Sequence, residues 1–157
     1  MPLPSGSATP TSSAPASSPA TPEEAIRAAY TAFWPNGRQA LTGAFEQIEP
    51  TLARYATGDY LKFQVKNARM AKANGREPWG SGPVLHIGKI EIVGSAATLK
   101  DCQDARQAGL ADASTKKLIP NTRGGPKQGF RAELQRGSDG QWRLSGLKPD
   151  RSACSGQ

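Results

Sequence analysis

The chain has 157 residues, 36% of them hydrophobic, with a formal net charge of +7, two cysteines and one histidine. That length bounds it to one domain with a modest core, and so few Cys and His side chains exclude a protein zinc site, which takes about four ligands. No apolar run approaches the roughly 20 residues of a helical membrane span, and Met1-Pro-Leu-Pro has neither the basic start nor the apolar stretch of a signal peptide, so an exported form would have lost its leader ahead of this start.

Residues 1–21 are read as a tether, because from Pro2 onward they are almost wholly Pro, Ser, Ala, Thr and Gly, with Leu3 the one sizeable apolar group. Such a tract buries too little surface to offset chain entropy, so it is expected to be disordered and to act as a spacer. Thr21-Pro22-Glu23-Glu24 then signals a helix start, with Thr as cap, Pro at the first position and Glu24 closing a capping box. Ile26, Ala29, Tyr30 and Phe33 recur at helical spacing, and Trp34-Pro35-Asn36-Gly37 is expected to end or kink the helix. A second helix is expected from about Arg38, carrying Leu41, Phe45, Ile48 and Leu52, with a break at Pro50. A third is expected to run to Ala73, capped by Thr57 and stopped by Asn74-Gly75. Lys62, Lys66, Arg69 and Lys72 fall along one side of it, a stripe that suits either a solvated surface or contact with a polyanion.

Gly82 to Cys102 is the one long run dominated by β-formers. Ile90 and Ile92 alternate with Lys89, Glu91 and Val93; Gly94-Ser95 signals a tight turn, and Ala97, Leu99 and Asp101 share a face of the returning strand. Leu110 to Ala113 suits a short strand, and residues 120–126 read as loop. Phe130, Ala132 and Leu134 alternate with polar residues, Gly137 to Gly140 turns the chain, and Trp142 and Leu144 face inward on the way back. Helices followed by two hairpins predict an α+β fold with helices on one face of an antiparallel sheet. Cys102 and Cys154 are either a disulfide, which would stabilise by roughly 3–4 kcal/mol in an oxidising compartment, or two buried thiols.

The segments Ala29 to Trp34, Tyr55-Ala56-Thr57-Gly58, Gly82-Pro83-Val84-Leu85, the surroundings of Cys102 and Asp139-Gly140-Gln141-Trp142 together resemble secreted or lipid-anchored NTF2-like proteins of Gram-positive bacteria. The resemblance covers residues 22–154, leaving 155–157 as a C-terminal tail. It implies a cone, N-terminal helices packed on a curved antiparallel β-sheet of four to six strands, often with a pocket. It also implies an exported domain at the cell surface and favours the Cys102–Cys154 bridge. The basic, Gly- and Pro-rich insert from Ser114 to Gln128 departs from the pattern.

Enzymes of that family, of the ketosteroid isomerase and scytalone dehydratase types, hold an Asp or His base and a Tyr or Asp donor inside the cone. Proton transfer needs a base tuned by burial and within reach of the substrate. The candidates here are His86, Asp101 and Tyr30, each with a plainer reading: a strand residue for His86, a turn former for Asp101 and packing for Tyr30. The leading expectation is a non-catalytic interaction or ligand-binding module with no cofactor or metal. A small-molecule isomerase or dehydratase and an accessory subunit of an envelope or conjugation machine are the alternatives. Expected partners are a protein or a small apolar ligand, with self-association as a further option and membrane contact only through a removed anchor. From Lys116 onward nine Lys or Arg stand against three acids, without interleaved exposed aromatics, which suits an anionic envelope polymer better than nucleic acid.

Overall fold

A computed structural model describes residues 1–4, 6–10 and 20–156. Of the expected tether, residues 5 and 11–19 lie outside the described residues, as does Gln157. The domain begins at helix α1, Pro22–Ala40, with the capping box in place: Glu24 N–H donates to Thr21 Oγ1 at 3.2 Å, and Thr21 N–H donates to the Glu24 carboxylate at 3.0 Å. Ile26, Tyr30 and Phe33 are buried along its inner face.

Pro35 does not end this helix. Proline removes one backbone donor, and the carbonyl it orphans belongs to Thr31, an exposed residue whose oxygen is open to water. One residue on, Asn36 Nδ2 donates to the Ala32 carbonyl at 2.7 Å, and burial of Phe33 and Ala40 holds both sides of the proline in register. The second helix expected from Arg38 is correspondingly displaced. Arg38 belongs to α1, a 3-10 turn occupies Phe45–Gln47, and α2 is only Ile48–Leu52. Pro50 sits inside α2 without breaking it, because in a first turn its missing N–H has no intrahelical partner. Ile48 and Leu52 are buried whereas Phe45 is exposed.

Helix α3, Gly58–Ala73, starts at Thr57 as expected, but the Thr57 side chain makes no capping bond. Its backbone N–H donates to the Leu144 carbonyl at 2.8 Å instead, and Leu144 N–H donates to the Tyr55 carbonyl. Helix entry is thereby stitched to the edge of the sheet, which also covers that edge. Ala40, Ile48, Leu52, Val65 and Ala68 pack the three helices together in a cluster of their own.

Six strands follow: β1 Arg76–Trp79, β2 Ile87–Val93, β3 Ala96–Gln103, β4 Gly109–Asp112, β5 Gln128–Arg136 and β6 Trp142–Pro149. A four-stranded antiparallel sheet has the order β2-β3-β5-β6, and β1 and β4 form a separate two-stranded ribbon. Strand β1 carries no periodic signal and contains Pro78; it forms as half of a ribbon paired on one side only, where a missing donor is tolerated. The sheet's inner face is Ala97 and Leu99, Ala132 and Leu134, and Trp142 and Leu144, with Leu99 opposite Ala132 and Leu134 opposite Leu144. Register shifts at Ile87/Ile90 and Glu133/Leu134 bend the outer strands, giving a curved antiparallel sheet with the three helices on its concave side.

The tail folds back as the resemblance implies. A 3-10 turn, Arg151–Cys154, brings Cys154 to Cys102 on β3, and the two form a disulfide spanning 52 residues. No free thiol remains among the described residues. Glycine is required where the tail crosses β5: a Cβ on Gly129 would lie 2.1 Å from the Asp150 carbonyl oxygen, while Asp150 N–H donates to the Gly129 carbonyl at 2.8 Å. Replacing both cysteines by alanine is expected to lower stability by about 4 kcal/mol on the chain-entropy account for a loop of this length. Urea unfolding monitored by tryptophan fluorescence would show it as a lower midpoint, and an unchanged midpoint would mean that the tail does not stabilise the domain.

Candidate functional site

Two features share the space between α1 and the sheet. The first is a buried carboxylate. Strand alternation carries Asp101 to the helix-facing side of β3 with Ala97 and Leu99, and its exposure is 0%. Three donors converge on it: Tyr30 Oη at 2.7 Å and Gln103 Nε2 at 2.9 Å on Oδ2, and the His86 backbone N–H at 2.7 Å on Oδ1. Gln103 Nε2 also donates to Tyr30 Oη at 3.1 Å. Among the described residues Asp101 forms no ion pair, so hydrogen bonds from three separate segments offset the desolvation of the acid. Asp101 is therefore neither a turn residue nor at a strand end. Burial, and then the neighbouring Asp101 charge, push the Tyr30 phenol well above its ordinary value of 10.0. Desolvation alone does the same for Tyr60.

The second feature is a cavity of about 740 Å³ beside this network. Phe33 and Trp34 of α1, Ala71 of α3, Leu110 of β4 and Phe130 of β5 give it an apolar body, and Gln64, Asn67, Gln103 and Gln128 add amides. Gln103 belongs to both features, with its amide nitrogen spent on Asp101 and Tyr30 while the side chain forms part of the cavity wall. Trp34 also borders both, packing edge-on against Tyr30 at 5.9 Å between ring centroids, and among the described residues its buried Nε1 has no partner at hydrogen-bonding geometry. Tyr30, Asp101 and His86 do not line the cavity.

The structure thus brings Tyr30 and Asp101 into direct contact and sets His86 beside them through its main chain. His86 is exposed, and its imidazole turns to the backbone, with Nδ1 2.8 Å from the Cys102 carbonyl. Nearby Asp104 is held by Arg106, whose guanidinium and backbone N–H draw its pKa down to about 2. The cavity itself had no signal in the sequence, since its wall is drawn from α1, α3, β4, β5 and the insert between residues 114 and 128.

The basic stripe of α3 is mostly committed to local contacts. Lys62 pairs with Asp59 at 3.5 Å, Arg69 pairs with Glu49 at 3.0 Å and lies over the Phe45 ring, and Lys72 donates to the Gly43 carbonyl. Among the described residues Lys66 makes no such contact. Among the described residues no group of three or more His, Cys, Asp or Glu side chains is arranged to hold a metal ion.

No family model matches the chain, and no curated protein sequence matches it. The crystal structure of the intermembrane space region of the chloroplast protein ARC6 aligns over 83% of this chain and 98% of its own, at 15% identity and a TM-score of 0.56. An NTF2-like protein of unknown function from Shewanella baltica OS155 aligns over 82% of this chain and 94% of its own, at 15% identity and a TM-score of 0.42. A ketosteroid isomerase-like protein from Erwinia carotovora atroseptica SCRI1043 covers 78% and 90%, at 13% identity and 0.41. The first of these likenesses shows a shared fold and nothing of activity. The class of protein defined here is an α+β domain, three helices against a curved antiparallel sheet, the cone that the sequence resemblance implies.

Tyr30→Phe removes one of the three donors to a sealed carboxylate, and a loss of about 1–3 kcal/mol is expected by chemical denaturation. The sign of the pH dependence follows from the raised phenols. In the unfolded chain they ionise near 10.0 and in the folded chain only above it, so their contribution is complete below pH 10.0 and is lost as pH rises further. Absorbance at the tyrosinate band should therefore show Tyr30 and Tyr60 ionising together with alkaline unfolding, and a free titration of both in the folded protein would contradict the burial described.

Proposed function

We propose that the chain is a non-catalytic ligand-binding domain working outside the cytoplasm, which takes a small, largely apolar molecule into the cavity between α1, α3 and the β1–β4 ribbon. The observation that carries this reading is the separation of the cavity from the buried acid. General acid or base chemistry requires a titratable group in reach of the substrate. Asp101 and Tyr30 have 0% exposure and hydrogen-bond each other, and the His86 ring is turned to a carbonyl. What borders the cavity is mostly apolar and amide surface, with Arg38 and Arg123 the charged groups in the wall, which suits binding.

Placement in an oxidising compartment is supported by the Cys102–Cys154 disulfide. No helix among the described residues is long and apolar enough to cross a membrane. Cell-surface attachment through a Pro-, Ser-, Thr- and Ala-rich spacer belongs to the same proposal and rests on the composition of residues 1–21.

The uncharged apolar fluorophore N-phenyl-1-naphthylamine tests the binding reading. Saturable enhancement of its fluorescence is expected with the native protein. Ala71→Phe, which fills the wall from a partly exposed position on α3, is expected to abolish it while leaving the circular dichroism spectrum unchanged. Absence of enhancement with the native protein, or enhancement indifferent to Ala71→Phe, would overturn the assignment.

A further inference from the structure

Arg38 from α1 and Arg123 from the insert both line the cavity, and no aspartate or glutamate does. Neither arginine forms an ion pair among the described residues, whereas Arg69, Arg106 and Arg143 pair with Glu49, Asp104 and Asp139. Both are oriented by the same residue of β1. Arg38 Nη2 donates to the Trp79 carbonyl at 3.4 Å and to the Gly80 carbonyl, and Arg123 lies over the Trp79 ring at 5.6 Å from its centroid. Arg123 Nε also donates to the Arg106 carbonyl at 2.6 Å. These bonds use only part of each guanidinium, and among the described residues its other N–H groups have no hydrogen-bond acceptor.

The loop that carries Arg123 is fixed before any ligand arrives. A Cβ on Gly124 would fall 2.4 Å from the Ala105 Cβ and 2.8 Å from its carbonyl oxygen, so that segment lies directly on the β3–β4 connection. Arg38, half-buried beside an apolar cavity with no carboxylate in its wall, loses hydration without gaining a counter-charge, while the exposed Arg123 stands at the mouth beside it. Burial accordingly lowers the Arg38 pKa below the ordinary guanidinium value. A ligand with an oxyanion would supply the missing charge to a fork geometry suited to it.

We infer that Arg38 and Arg123 form an anion-recognition rim on the cavity, so that its ligand is an apolar molecule bearing an oxyanion head group such as a carboxylate. This rests on the reading of the cavity as a binding site and specifies the chemical class it accepts.

Displacement of N-phenyl-1-naphthylamine by decanoate and by decanol separates the two claims. With the native protein, decanoate is expected to displace the fluorophore at a concentration on the order of tenfold lower than decanol, and added salt should narrow that gap. Arg123→Gln and Arg38→Gln should each abolish most of the preference, read as the ratio of the decanoate to the decanol displacement midpoint in the same variant. Arg38→Gln also loses bonds to β1; should it unfold, the exposed Arg123 carries the test. Equal displacement by decanoate and decanol in the native protein, or a preference that survives Arg123→Gln, would overturn the anion rim and leave the binding site standing. Failure of the fluorophore to bind at all would overturn both.

Discussion

A carboxylate at the centre of the domain has to be satisfied by groups that are far apart along the chain, and that requirement fixes how helix and sheet meet. Asp101 receives hydrogen bonds from Tyr30, 71 residues earlier, from the main chain at His86, and from Gln103. Each donor belongs to a different segment, so the contact sets the rotation of α1 about its axis and its height over β3 at once. Ile26 and Phe33, on the same side of α1 as Tyr30, are then delivered to the apolar inner face of the sheet. An unpaired acid in this position would cost several kcal/mol, which makes alternative helix placements unfavourable out of proportion to the area they would expose.

The next residue on β3 acts in the opposite direction. Alternation turns Cys102 away from the helices, where it holds the returning tail through Cys154. Lys100, on the same outward face, donates to Ser152 at 2.7 Å, and Gly129 on the neighbouring strand gives the tail room to pass. Strand β3 is thereby clamped on both faces within two residues, by a polar network inside and a covalent bond outside. Gln103, one step further, joins this clamp to the cavity wall.

That arrangement has a functional consequence. The buried acid is enclosed away from the cavity, whose wall does not include Asp101 or Tyr30. The Tyr30 hydroxyl donates to the aspartate, and the polarity of the wall comes mostly from amides and from two arginines that form no ion pair among the described residues. Under the binding proposed above, such a wall would select a ligand by shape and charge.

Local signals in the sequence were sufficient for much of the architecture. The Thr21 to Glu24 capping box, the apolar spacing of Ile26, Tyr30 and Phe33, and the alternation through Ala97, Leu99, Ala132, Leu134, Trp142 and Leu144 each encode a backbone conformation and a face, because those properties depend on neighbours a few residues away. Other features depended on partners the local pattern does not name. Helix α1 continues through Pro35 because an exposed carbonyl and flanking buried side chains tolerate the lost donor, and β1 exists only through its pairing with β4. Asp101 looked like a turn former because its spacing says nothing about what lies 71 residues upstream. The cavity was invisible for the same reason: segments scattered from α1 to β5 enclose it, and the affinity of a space is decided by which side chains face one another across it. Composition and periodicity determined the helices, the hairpins and the face each buries, whereas tertiary packing decided that the acid is sealed and that the two arginines form no ion pair among the described residues, since the energy of a polar group is set by its partners in space.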